Sequence, residues 1–304
     1  MPCKNCLINP VITLANSNID LCKSCFFRYF EKKVIKTINK YKLIEKKDKV
    51  AIACSGGKDS MSLLYILSKL SRKKDFSIIA LAIDEGIKKY RDLNDLKKYC
   101  RENSIDLKIY SFRDEFGISL DTAVKKIKEL NPCSICGVLR RQLLNKAAIS
   151  LKTNKLATGH NLDDESQSVM MNYVRGSLER STRLGPITGV VKDPRFVPRI
   201  KPFYFLTEKE TATYACLKQF PVKFNECPYS NNSFRGEIRD LMNNIEKNHH
   251  GTKHAVINSF LHLLPYLRLM YNNSKVKTCE HCHEPSSMDV CNTCIIIGKL
   301  KIKR

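Results

Sequence analysis

At 304 residues the chain is long enough for one core of about 150–200 residues with small appendages. Its 53 Lys and Arg against 30 Asp and Glu leave a formal charge of +23, which points to a polyanionic partner and favours nucleic acid over a membrane surface. No apolar run of about 18 residues is present to span a bilayer, and the opening MPCKNC lacks the apolar stretch of a signal peptide, so no membrane partner and a cytoplasmic location are expected.

In chain order, the first feature is a cysteine cluster, Cys3, Cys6, Cys22 and Cys25, built from two CxxC pairs. A second such cluster, Cys279, Cys282, Cys291 and Cys294, closes the chain. Fourteen cysteines in a reducing compartment make a poor disulfide framework, and CxxC spacing suits metal ligation. Each terminus therefore reads as a zinc-ribbon-like module holding one Zn2+. The expected organisation is an N-terminal zinc finger over residues 1–30, a catalytic domain over 31–275 and a C-terminal zinc finger over 276–304.

Between the clusters, Lys49–Cys54, Ser77–Asp84, Leu107–Phe112 and Lys155–Gly159 read as short buried strands. Helical spacing falls at Ser60–Leu70, Leu93–Asn103, Leu120–Leu130, Gly137–Leu151 and Asp163–Arg175. It resumes at Thr207–Gln219, Arg235–Asn248 and Lys253–Tyr271. This alternation predicts an α/β fold with a doubly wound parallel sheet. Ser177–Pro202, rich in Gly, Pro and basic residues, reads as a loop near a phosphate-rich ligand. Cys54, Cys100 and Cys216 lie in apolar elements without partners at ligand spacing and are expected in the core.

The segment Ser55-Gly56-Gly57-Lys58-Asp59-Ser60 follows the first of these strands and opens a helix. Adjacent glycines expose backbone N–H groups to an anion, and the helix N-terminus adds its dipole. Lys58 supplies a point charge, Ser55 and Ser60 supply hydroxyls, and Asp59 can hold Mg2+ or order the loop. The spacing is not that of a Walker loop. Further on, Thr158-Gly159-His160-Asn161-Leu162-Asp163-Asp164 places a glycine ahead of two carboxylates at a helix start. We expect Asp164 to be functional and Asp163 to cap the helix. Ile83 and Asp84 end the second strand, where a doubly wound sheet receives a nucleotide base.

Cys133 and Cys136 in PCSICG, with Cys227 in ECP, belong to neither terminal cluster. Three thiolates suit an iron–sulfur cluster with one iron left open. They also suit a persulfide with a resolving thiol, or a structural zinc with a fourth ligand elsewhere.

The ordered set of terminal CxxC pairs, SGGKDS, PCSICG, TGHNLDDE and ECPYS resembles the tRNA 2-thiouridine synthetases of the TtcA/TtuA and Ncs6/Ctu1 group, with an archaeal NcsA/TtuA-like cast. The resemblance covers nearly the whole chain. It implies a PP-loop fold that splits ATP to AMP and pyrophosphate, two zinc fingers, a [4Fe-4S] cluster, and replacement of a tRNA uridine oxygen by sulfur. By that resemblance the cluster ligands are Cys133, Cys136 and Cys227. The ATP contacts fall on Ala53, Ser55, Gly56, Gly57, Lys58, Asp59, Ser60, Ile83, Gly159 and Asp164. Lys58, Asp59, Arg140 and Asp164 would carry the chemistry. The expected partners are tRNA and a sulfur donor, either inorganic sulfide or a ubiquitin-like thiocarboxylate protein, in a homodimer. CGVLRRQ, with Arg140 where T-loop enzymes carry lysine, and VMMNYVRGSLERSTR resemble the wobble-uridine-34 enzymes. Leu162 and Pro228 are more at home in the group acting on uridine 54. Wobble uridine 34 is favoured, with uridine 54 as the alternative. An adenylase or ligase acting on RNA without sulfur transfer is the alternative of another class.

Overall fold

The computed structural model describes residues 2–88, 90, 92–188, 193–222, 227–229, 233–271 and 276–300. A hairpin of β1 (Ile12–Leu14) and β2 (Ile19–Leu21) leads into helix α1 (Lys23–Lys40). There follow β3 (Lys49–Ala53), α2 (Lys58–Ser71), β4 (Ser77–Asp84), α3 (Asn94–Glu102), β5 (Leu107–Ser111), α4 (Phe112–Phe116), α5 (Leu120–Lys126) and α6 (Pro132–Ser150). The domain continues with β6 (Lys155–Ala157), α7 (Leu162–Val174), α8 (Leu178–Ser181), β7 (Ile187–Thr188), β8 (Arg199–Ile200), α9 (Glu208–Leu217), α10 (Phe234–Asn248) and α11 (Thr252–Met270). A second hairpin, β9 (Lys277–Thr278) and β10 (Pro285–Ser286), and helix α12 (Asn292–Lys299) complete the described elements.

The central sheet has the order β5-β4-β3-β6-β8-β7 and is parallel except where β7 runs against β8. Its strands are buried on both faces: Val50 and Ile52 of β3 join one apolar cluster and Ala51 joins another. Helices α1, α2, α3 and α9 cover the first face, while α6 lies on the second. Chain order runs outward from β3 in both directions, so the crevice beyond the ends of β3 and β6 is the topological switch point, where such sheets bind ligands.

Two expectations are corrected, and one helix is new. Ser177–Pro202 is not only a loop: it holds α8 and adds β7 and β8 to the sheet edge, although residues 189–192 lie outside the described residues. Cys54 and Cys100 are buried as expected, but Cys216 is exposed on α9. Helix α1 was not anticipated, and a boundary between residues 30 and 31 falls inside it. It buries Phe26, Phe30, Val34 and Ile38, a stripe at four-residue spacing that places one face against the core. Phe30 stacks on Tyr214 of α9 with ring centroids 4.1 Å apart. The expected boundary at 275/276 adjoins residues 272–275, which are outside the described set.

Candidate functional site

At the end of β3 the chain turns through Gly56, whose φ of +75° favours a residue without Cβ. Gly57 caps α2 in an extended conformation. The two serines shape this loop from within. Ser60 Oγ accepts from Ser55 N at 3.1 Å and donates to Gly57 O at 3.0 Å, and Ser55 Oγ accepts from Gly57 N at 3.4 Å. The Ser60 hydroxyl is thus used to fold the loop, which leaves backbone N–H groups and Lys58 as the main anion donors.

Lys58 Nζ lies 3.0 Å from both Asp59 and Glu208. Burial opposes its charge, yet the two carboxylates outweigh that and raise its pKa. Gly159, just past β6, packs directly on the first turn of α2. A Cβ there would come within 3.1 Å of the Asp59 carbonyl carbon and Cβ. Asn161, not Asp163, caps α7: its side chain accepts from the Asp163 and Asp164 amides while Asp164 accepts from Asn161 N at 3.1 Å. Asp163 is instead buried, bound to Lys253 Nζ and accepting Glu208 N at 2.7 Å. The capping box was legible in Asn161-Leu162-Asp163-Asp164.

Asn161 Nδ2 also reaches Asp59 at 3.4 Å, so Asp59 and Asp164 share a neighbour. Asp164 is pushed up to about 6, first by desolvation, with Asp59 and Glu208 adding and Arg235 and the Asn161 amide opposing. A carboxylate whose ionisation is opposed by burial and by a neighbouring acid suits a divalent cation. Ala53 ends β3 opposite Leu81. Cys54 N donates to Leu81 O at 2.8 Å, so the main-chain groups of Ile83, two residues on, point to the same side, where β3 has stopped. The Ile83 side chain is buried against α6, so its main chain is the part that faces this side.

Helix α6 starts at Pro132, a turn earlier than expected, capped by Asn131 onto Cys133 N at 2.8 Å. Both cysteines therefore lie near the positive end of the helix, which favours thiolates. Arg140 Nη2 donates to Cys136 Sγ at 2.8 Å, and its Nε sits 3.1 Å from the buried carboxylate of Glu85. Cys133 Sγ donates to Tyr229 O at 3.5 Å. Tyr229 is in turn tied to Asp121 at 2.7 Å, which brings the Cys227 segment onto the same end of α6. The Cys133 thiol is raised by burial and then by Cys227, against Arg140 and Arg235. Glu85, Glu208 and Arg235 escaped sequence reasoning because their partners lie 55, 150 and 71 positions away.

The terminal clusters have a different geometry. Cys3, Cys6, Cys22 and Cys25 have their sulfurs within 4.8 Å of one another, as do Cys279, Cys282, Cys291 and Cys294. Contacts such as Cys6 to Cys25 at 3.8 Å and Cys282 to Cys291 at 3.7 Å match the spacing of about 3.8 Å that tetrahedral Zn–S bonds require. Both modules share one feature: their third cysteine is the N-cap of a helix whose third residue is the fourth cysteine. Cys133, Cys136 and Cys227 are not drawn together so tightly, and a multi-iron cluster needs wider spacing than one zinc.

A model of the PP-loop domain matches residues 28–245. A probable sulfurtransferase of Methanocaldococcus jannaschii is 37% identical over 293 residues, 94% of this chain and 84% of that protein. The tRNA 2-thiolation protein NcsA of Haloferax volcanii is 35% identical over 321 residues, 99% of each chain. The chain belongs to the PP-loop tRNA 2-thiolation family. Among solved structures, the U34-tRNA thiolase NcsA from Methanococcus maripaludis, solved with its [4Fe-4S] cluster, superposes with a TM-score of 0.86 at 35% identity, covering 100% of this chain and 98% of that one. The family's architecture therefore extends through both four-cysteine modules, beyond the segment matched by the PP-loop model.

Proposed function

We propose that this chain is a tRNA-uridine 2-sulfurtransferase that activates the C2 oxygen of wobble uridine 34 with ATP and replaces it with sulfur. The observation that carries the reading is the convergence at one sheet edge of a PP-loop, ending in Lys58 and Asp59, with a cysteine set on α6 held by Arg140. An adenylase without sulfur transfer needs the first and not the second. Uridine 34 is supported by Arg140 within CGVLRRQ and by the function printed for the M. maripaludis relative.

The backbone N–H groups of the Gly56–Gly57 turn and Lys58 bind the β,γ-phosphates, and the free edge at Ile83 receives the adenine. Asp59 and Asp164 would hold Mg2+, which neutralises charge on the departing pyrophosphate. The uridine C2 oxygen attacks the α-phosphorus, a P–O bond to pyrophosphate breaks, and Lys58 exchanges its carboxylate partners for the phosphates. Cys133, Cys136 and Cys227 would hold the [4Fe-4S] cluster, which when bound would supply an iron site for sulfur. Arg140 stabilises negative charge on Cys136, and Glu85 fixes Arg140 from behind. When sulfide forms its bond to C2, the C2–O bond breaks and AMP leaves.

Two Zn2+ ions in the terminal modules fit the sulfur spacing. The sulfur donor is inorganic sulfide or a ubiquitin-like thiocarboxylate protein. A homodimer is supported by the exposed apolar stripe Leu263, Tyr266, Leu269 and Met270 on α11. The cytoplasm is supported by relatives named for it.

The test is AMP release by anaerobically prepared protein with and without tRNA, alongside thiolated product. AMP should appear only with tRNA, and Lys58→Met should lower it by about 100-fold or more. If Cys133→Ala, Cys136→Ala and Cys227→Ala each left product formation intact, the adenylase or ligase reading would replace this one.

A further inference from the structure

Most cations around the site have an acidic partner. Arg140 meets Glu85, Lys201 meets Glu165, Arg235 meets Asp164, and Lys253 meets Asp163. Arg141 of α6 and Arg199 of β8 do not: among the described residues no carboxylate lies within ion-pairing distance of either guanidinium. Their mutual placement is fixed by Asn145, one helical turn after Arg141. Its side chain donates to Arg195 O at 2.9 Å and accepts from Val197 N at 3.0 Å, which pins the approach to β8 along α6. Val197 is buried in the cluster that α6 covers, and Ile200 is buried in the cluster on the opposite face. Arg199, two residues past Val197, falls on the α6 side with Arg141.

The Arg141 guanidinium lies back over Gly137, where a Cβ would be 3.1 Å from its Nη1, and so extends toward the Cys136 end of α6. It remains solvent-exposed, and Arg199 is half-buried. Burial and then the charge of Arg141 push Arg199 down to about 10, while burial and then Arg140 lower Arg141, with Cys136 opposing. On the other side stands His160, bonded through Nδ1 to Thr158 Oγ1 at 2.8 Å. His160 is exposed; desolvation and then Lys201, with Arg235 and Arg199 adding and Glu165 opposing, lower its pKa.

Like charges brought together without a counter-charge destabilise a fold, and they persist where an anion completes them. We infer that Arg141 and Arg199 form a phosphate pincer for the RNA backbone, seating one phosphodiester beside the target uridine, between Cys136 and Asp164. The inference rests on the tRNA reading above and deepens it. The β,γ-phosphates of ATP already have the α2 N-terminus and Lys58, whereas the pincer opens to solvent and continues the basic segment from Arg175 to Arg199. Paired guanidiniums suit a phosphodiester, which they can grip with parallel N–H···O bonds.

The experiment is equilibrium binding of unmodified tRNA across a NaCl series, for the full-length protein and for Arg141→Gln, Arg199→Gln and the double variant. Each single change should weaken binding about tenfold at moderate salt. The double variant should flatten the slope of log K against log salt by about one. ATP affinity should be unchanged, and thermal midpoints should not fall, because a repulsion is removed. Unchanged tRNA affinity and slope in all variants would overturn the pincer, as would a parallel loss of ATP affinity, which would assign the pair to the triphosphate. If the double variant does not fold, the single variants decide. A wild-type protein that binds tRNA weakly and without salt dependence would instead sink the tRNA reading itself.

Discussion

At the scale of single residues, the site depends on a few close approaches that only particular side chains permit. Gly159 is the sharpest case, since its Cα faces the backbone of Asp59 with no room for a methyl group. The obstruction is backbone, which cannot rotate away, so Gly159→Ala must push β6 and α2 apart where ATP is to bind. We expect a loss of about 1–3 kcal/mol in stability, typical of overpacking, and a larger proportional loss in ATP affinity than in fold. Urea unfolding together with ATP titration checks this, and an unchanged ATP affinity would contradict it. Features set by local sequence were legible: the SGGKDS turn opens α2 as its glycines suggest, and the terminal CxxC pairs gather into two four-cysteine groups. Asp163 was misread as a cap because its true partner, Lys253, is 90 residues away, and Asn161 satisfies the amides that Asp163 would have capped.

At the scale of elements, α7 is the keystone between the nucleotide loop and the C-terminal helices. Asp163 at its start binds Lys253 of α11 and the first amide of α9, while Asp164 beside it faces Asp59. Both members of the Asp163–Lys253 pair are less than a tenth exposed, so removing one leaves an uncompensated buried charge. Asp163→Asn should cost about 3–5 kcal/mol, and adding Lys253→Met should recover most of that loss. Urea midpoints of the wild type, both single variants and the double variant form the cycle; simple additivity would contradict the pairing. Long strands and helices could be read from periodicity, whereas β7 and β8 have two residues each, too few for any alternation to show. Helix α1 was readable in Phe26, Phe30, Val34 and Ile38. Its stripe sits directly after ribbon cysteines, and Cys25 serves both the cluster and the helix.

At the scale of the whole molecule, each four-cysteine module braces one half of the candidate site through its helix. The N-terminal module leads into α1, which packs through Phe30 on Tyr214 of α9, whose first residue is Glu208, the partner of Lys58. The C-terminal module ends in α12, whose Ile296 and Ile297 join Ile135, Cys136 and Leu139 of α6 in one apolar cluster. The Lys58 loop and the Cys136 end of α6 are thus braced by separate modules, in a chain of net charge +23. The ordered motifs made this division visible in outline, but only the packing shows which module supports which half. The most direct test of the central claim is to map 2-thiouridine by mass spectrometry in tRNA from a strain lacking this chain. The account predicts that the 2-thio group is lost from uridine 34, returns with the wild-type chain and does not return with Cys133→Ala. Loss at uridine 54 would overturn the assigned position, and unaltered thiolation at both positions would contradict the function.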